Sequence, residues 1–184
     1  MGEVCLKSWS AKNSLTLSIR SGVENDAVLF PAFAKKVGEE TNFTRYSTTG
    51  NAPNEWEIRS EFQNDILRSD RLHLVAYLDD KMVGYLKFKQ PYPQHVGFKH
   101  VAEFGIFILS EVWGLRLARF MILEMEQYAL SIGVKRIEAR VRAGNERALF
   151  LFKSVGFQVE GTRYGAVKIG DQLCDELYIG KILC

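Results

Sequence analysis

The chain has 184 residues, of which 47% are hydrophobic and 25% charged, with a formal net charge of +2. That size and balance fit one soluble globular domain with room for a real core. So small a charge without a Lys/Arg-rich run argues against nucleic acid, and the apolar run 120–123 is too short for a membrane span and flanked by Arg119 and Glu124. The cysteines Cys5, Cys174 and Cys184 are odd in number and scattered, so they fit neither a disulfide framework nor a zinc site. With no apolar leader at the N-terminus, a cytoplasmic location is the expectation.

In chain order, 1–13 reads as a loose leader. Leu15, Leu17 and Ile19 alternate with Thr16, Ser18 and Arg20, which predicts a strand. Val28, Leu29, Phe33 and Val37 have helical spacing over 26–37, with Pro31 near the start and Gly38 just past the end. Residues 41–53 form a Thr/Ser/Asn/Gly-rich loop. A polar amphipathic helix is expected over 54–69, with Trp56, Phe62, Ile66 and Leu67 inward. Strands 72–78 and 82–88 flank a turn at Asp79-Asp80-Lys81. After a loop at 91–97 comes a central apolar strand, 101–109. A helix over 113–132 stops at Gly133, and a strand follows at 136–141. The next helix, 145–155, has Asn145 as N-cap and Gly156 beyond its end. Strands 158–163 and 173–179 close the chain around Gly170-Asp171.

With no repeat or linker, residues 1–184 read as a single domain. The order predicts an α/β mixed sheet of about seven strands with helices on both faces. The strands 101–109 and 136–141 are joined by a helix, so they should pair in parallel.

Two features carry chemistry. The turn and helix start at 114–119 offer free amides and a positive helix end to an anion. Arg116 and Arg119 lie there, where the dipole disfavours each by roughly 0.3–1 kcal/mol, a penalty that a bound anion reverses. Glu103 is an acidic residue in an apolar strand and a candidate general base. It could equally face solvent or pair with Lys99 or His100, and His100 could relay a proton. No Gly-x-Gly-x-x-Gly follows a strand, which argues against a dinucleotide enzyme. No metal is expected, because His73, His95 and His100 have no acidic or thiol partners nearby in sequence.

The segments Leu74-Val-Ala-Tyr-Leu-Asp-Asp-Lys-Met-Val-Gly-Tyr85, His100-Val-Ala-Glu-Phe-Gly-Ile106, Trp113-Gly114, Asn145-Glu-Arg-Ala148 with Leu151-Phe-Lys153 and Gly156-Phe157, and Asp175-Glu-Leu-Tyr-Ile-Gly180 occur in this order. Together they resemble the GNAT superfamily of N-acetyltransferases, in particular a bacterial branch with a His-Val-x-Glu-Phe-Gly-Ile fourth strand. The resemblance spans nearly the whole chain, about residues 15–183. It implies that acetyl-CoA lies in a V-shaped gap between two parallel strands. Ile108 and Leu109 would face its pantetheine arm. Gly114, Leu115, Arg116, Leu117, Ala118 and Arg119 would hold its pyrophosphate, and Asn145 and Phe152 would border the cofactor arm. Arg147 and Lys153 would be within reach of its phosphates.

The family's loop pattern, Arg/Gln-x-x-Gly-x-Gly/Ala, is altered here. Trp113 replaces the polar residue and Arg116 the middle glycine, while Ala118 conforms. Arg116 could crowd the pyrophosphate; it either grips it, or the loop has lost its ligand and the arginines point to water. Phe152 stands where relatives often carry the tyrosine acid, and it cannot donate a proton. Tyr164 and Tyr178 are other phenols without a defined place. The implied function is acetyl transfer to a primary amine of a small molecule or peptide, with Glu103 assisting deprotonation. Phe43, Tyr46 and Trp56 are candidates for the acceptor pocket. The alternative is a weak or inactive relative with a binding role. Dimerisation is common in that fold, which leaves a homodimer open.

Overall fold

Residues 7–10, 16–46 and 53–184 are described by the computed structural model. The strands are β1 (Lys7–Ser10), β2 (Thr16–Ser21), β3 (Arg71–Leu78), β4 (Lys81–Lys89), β5 (Val101–Ile108), β6 (Arg136–Arg142), β7 (Gln158–Ile169) and β8 (Gln172–Ile182). The helices are α1 (Phe30–Glu40), α2 (Glu55–Asp65), α3 (Leu117–Ser131) and α4 (Glu146–Ser154), with short 3-10 turns at Glu24–Val28 and Ser110–Val112. One sheet of eight strands has the order β1-β2-β3-β4-β5-β6-β8-β7. Every neighbouring pair is antiparallel except β5 and β6, which run parallel as expected.

Alternation along the strands sorts side chains onto two faces. Ala76, Gly84, Phe104, Ile106 and Ile108 face α3 and α4. A Cβ built on Gly84 would lie 2.9 Å from Ile108 Cδ1 and 3.3 Å from Met121 Sδ, so this glycine lets α3 approach the sheet closely. Phe88 meets Tyr128 of α3 edge-on, and Phe104, Phe152 and Phe157 form a ring cluster with centroids 5.5–5.7 Å apart. Such pairs add about 0.5–1.5 kcal/mol each beyond burial. A largely buried ion pair crosses this layer. Lys181 Nζ, from β8, donates to both oxygens of Glu126 on α3 at 2.7 and 2.8 Å and to Val155 O beyond α4 at 2.7 Å.

His73, Val75, Tyr85 and Phe107 face α1 and α2, where Phe30 packs edge-on to Tyr85 at 4.8 Å. Asp26 anchors this layer by accepting from both terminal nitrogens of Arg20 and from Tyr77 Oη. Asn54 caps α2 and Asn145 caps α4, each through its side-chain oxygen.

Several expectations change. Lys7–Ser10, assigned to a leader, is an edge strand paired with β2, while residues 1–6 and 11–15 lie outside the described residues. The sheet therefore gains a strand over the seven expected. The first helical segment is split into a 3-10 turn and α1, with Pro31 in the first turn of α1. Gly38 lies inside α1 and is buried, rather than ending it. The second helix stops at Asp65, so Ile66 and Leu67 fall beyond it and are exposed. Trp56 is also exposed; Ile58 and Phe62, one turn apart, form the inner side. The long helix begins at Leu117 instead of 113, because Gly114 and Arg116 adopt positive φ, 78° and 62°. Strands β7 and β8 run longer than expected around the foreseen Gly170-Asp171 turn. The loop expected at 41–53 is described only at 41–46 and from 53 onward.

Candidate active site

Strands β5 and β6 pair only at Val101, Ala102 and Glu103, opposite Arg136, Ile137 and Glu138. Beyond Glu103, β5 stays bound to β4 while β6 continues along β8. Among the described residues the two inner edges past that point share no pairing, so the sheet opens into a wedge rooted at Glu103.

At the open end β5 runs into a corner of unusual backbone. Leu109 is buried, and its amide donates to Val83 O. Gly114 and Arg116 then turn the chain in the left-handed region. For arginine this conformation costs about 1–2 kcal/mol relative to glycine. The altered residue has thus kept the glycine-type turn. Helix α3 starts without a side-chain cap, and Phe120 is the first amide to return into the helix, to Arg116 O. The amides of 117–119 are the natural anion donors at this corner. Arg116 is exposed, whereas Arg119 reaches across to Ser154 O at 3.4 Å.

Trp113 and Arg147 join the two sides of the wedge. The Trp113 indole N–H donates to Ile108 O at 3.2 Å, and the Arg147 guanidinium lies 3.5 Å above the indole ring. Leu115 and Leu117 pack into the core, Ala118 is half-buried, and Phe152 is buried between Phe104 and Phe157. Leu109 and Phe152 therefore support the cleft from within. Ile108 offers it a backbone carbonyl, and Asn145 is occupied as the cap of α4. Lys153 is exposed on α4.

On the α1/α2 face, Glu103 pairs with Lys89 of β4 at 3.4 Å, rather than with Lys99 or His100. His100 is exposed, and its backbone oxygen accepts from Lys135 and Arg136. Next along β5, Gly105 lies opposite Lys87, and a Cβ built there would meet nothing within 4 Å. This bare strip is flanked by Glu103 and by Phe107, whose ring packs on Tyr46 at 5.0 Å. Lys87 Nζ contacts Glu61 Oε1 of α2. Burial and the Arg45 and Lys89 charges press Lys87 down to about 8, while the Glu61 carboxylate pulls the other way.

The described end of the α1–α2 connection roofs this space. Arg142 of β6 donates to Asn42 O, Phe43 lies beside Gly144, and Tyr46 rests on β5, so segment 41–46 bridges the wedge. It hangs from the end of α1, where Glu40 Oε2 accepts from Ser110 N at 2.7 Å. Of the expected pocket residues, Tyr46 and Phe43 are here, and Trp56 is out in solvent. Tyr164 is exposed on the distal hairpin, and Tyr178 lies opposite Arg140.

Sequence spacing missed one cluster. Glu61, Asp65 and His73 bring their ligand-capable atoms within 4.8 Å of one another. Histidine thus does have acidic neighbours, contrary to expectation. Both His73 nitrogens are engaged, with Asp65 Oδ2 at 3.0 Å and Tyr85 Oη at 2.7 Å, and Glu61 is held by Lys87. The i, i+4 spacing of Glu61 and Asp65 on α2 was the only local signal.

Residues 39–157 match the acetyltransferase (GNAT) family. The chain belongs to that family. The enzyme is therefore an acetyl-CoA-dependent N-acetyltransferase. It is 31% identical over 111 residues to the L-amino acid N-acetyltransferase AaaT of Escherichia coli, a match covering 59% of this chain and 67% of the relative. Among solved structures, a GNAT-family acetyltransferase from Streptococcus pneumoniae superposes with a TM-score of 0.83 at 24% identity, over 91% of this chain and 99% of that one. The acetyltransferase yncA of Salmonella typhimurium, solved with acetyl-CoA, gives 0.78 at 16% identity, over 91% and 94%. Among the described residues no helix is long and apolar enough to cross a membrane.

Proposed function

We propose that this GNAT acetyltransferase moves the acetyl group of acetyl-CoA to a primary amine by direct attack in a ternary complex. Acetyl-CoA enters the wedge between β5 and β6, and the acceptor amine arrives over Gly105 beneath the 41–46 roof. The observation that carries this reading is the wedge itself, with a carboxylate at its root. The residues fit the cofactor. The left-handed turn at Gly114 and Arg116 aims the amides of 117–119 at a pyrophosphate, with Arg116 adding charge. Ile108 O is a ready partner for an amide of the pantetheine arm once the Trp113 indole releases it.

Acetyl-CoA supplies the activated thioester. Glu103, paired with Lys89, accepts the proton of the attacking amine directly or through water. Backbone amides of β5 near Ile108 orient the carbonyl. The C–N bond forms, the C–S bond breaks, and the departing thiolate takes its proton from water, because Phe152 has none to give. Thiol release measured over a panel of amines, with acetyl-CoA titrated by calorimetry, tests the reading. Saturable heat and amine-dependent thiol release support it. Heat without turnover on any amine leaves a binding role, and neither signal overturns the reading of the wedge.

A further inference from the structure

The α1/α2 face around the wedge is rich in charge, and its carboxylates are already matched. Glu61 contacts Lys87, Glu103 pairs with Lys89, Glu138 with Arg136, and Glu176 with Arg163. Of the guanidiniums on this face without a carboxylate partner among the described residues, Arg142 donates to Asn42 O, which leaves two. Arg140 follows Glu138 by two residues on β6 and is exposed on the same face, and no carboxylate pairs with it among the described residues. Arg45 projects from the roof, exposed, with its Cζ 5.8 Å from the Tyr46 ring, and it too has no carboxylate partner there. The Tyr46 ring beside it packs on Phe107 of β5, so Arg45 sits at the edge of the acceptor space.

From these residues we infer that the acceptor carries a carboxylate beside its amine, and that Arg45, with Arg140 across the wedge, receives that carboxylate. This inference rests on the acetyl-transfer reading of the same cleft. Three arguments support it. A guanidinium without a partner is a standing site for a planar anion, which it binds through paired N–H donors. The excess positive charge draws an anionic acceptor inward and disfavours a purely cationic one such as a polyamine. The same charge makes an incoming ammonium easier to deprotonate, which is the form the reaction needs. The wall beside Arg45, made by Tyr46 and Phe107, is aromatic and suits an apolar side chain. An apolar α-amino acid combines these features.

The test compares L-leucine, L-leucinamide and isopentylamine, which share a hydrocarbon body and differ in the carboxylate, with spermidine and a short peptide as further acceptors. The expected kcat/KM for leucine exceeds that for leucinamide by about 10-fold or more, since a guanidinium built for a carboxylate is left unmatched by the amide. Arg45→Gln should bring that ratio close to one, mainly through KM for leucine, and Arg45→Lys should restore part of it. Arg140→Gln provides a second, independent reduction, and the wild-type ratio needs no variant. Leucinamide, isopentylamine or spermidine turned over as well as leucine would overturn the carboxylate inference and leave the acetyl-transfer reading standing. A ratio that survives both Arg45→Gln and Arg140→Gln would overturn the assignment to these residues. No thiol release with any acceptor would sink both.

Discussion

Phe104 and Glu103 are neighbours on β5, and each belongs to a different face of the sheet. Phe104 looks toward α3 and α4, into rings and aliphatic chains, where Lys181 and Glu126 form a largely buried ion pair. Glu103 looks toward α1 and α2, where it pairs with Lys89 and the surface opens over Gly105. One strand thus gives the wedge a packed wall behind and a charged, accessible wall in front. Stability should reside on the first face and chemistry on the second, and substitutions on the two should separate accordingly.

The largest effect belongs to the packed face. Lys181→Ala strands Glu126 in the interior and should cost about 3–5 kcal/mol. Urea unfolding would show it as a lowered midpoint, with acetyl transfer largely retained where the protein is still folded. A loss under 1 kcal/mol would mean that this pair is not buried as described. Next comes the charged face. Glu103→Gln should leave the unfolding midpoint within about 0.5 kcal/mol, because its pair with Lys89 is partly exposed. It should lower kcat/KM by roughly 100-fold through loss of the base. Equal turnover by the variant would remove Glu103 from the reaction and collapse the contrast between the faces.

A smaller effect sits at the corner where the faces meet. Arg116→Gly should stabilise the fold by about 1 kcal/mol, by relieving the left-handed arginine. It should also weaken acetyl-CoA by about 5-fold, through loss of a phosphate-facing charge. Unchanged affinity would show that the guanidinium plays no part in holding the cofactor.

The last prediction concerns acid. Burial works to raise the Asp26 carboxyl, but hydrogen bonds from Arg20, Tyr77 and the Val23 amide outweigh it and hold the group below its ordinary value. The folded state therefore keeps this carboxylate ionised at lower pH than the unfolded chain does. Its stabilisation is complete above the unfolded value of about 3.9 and is lost as pH falls through the folded one. Unfolding midpoints measured between about pH 5 and 2 should fall in the wild type and fall less steeply in Asp26→Asn.

What could be read from the chain was what is local. Asn145 before a periodic apolar run, and Gly133 and Gly156 after theirs, mark helix ends through their own backbone needs, and all three stand where expected. The parallel β5–β6 pair followed from the helix between them. The helix start at Leu117 was hidden because an arginine occupies a turn that sequence rules reserve for glycine. The β1–β2 pairing, the Lys89–Glu103 pair and the Arg147–Trp113 stack depend on residues brought together by the fold, so periodicity carries no trace of them. Within the site, Glu103 was visible as a charge in an apolar strand. That Arg45 and Arg140 lack carboxylate partners emerged only from the pairings that the fold brings together.

The carboxylate of Glu40 gives the last lesson. The segment proposed to roof the acceptor begins one residue after it, and the corner proposed for the cofactor begins at the amide that donates to it. Both proposed compartments are therefore hung on one hook. In the proposed ternary complex, a shift of Ser110 on cofactor binding would reach the segment above the amine through Glu40, and any such coupling would act equally in both directions.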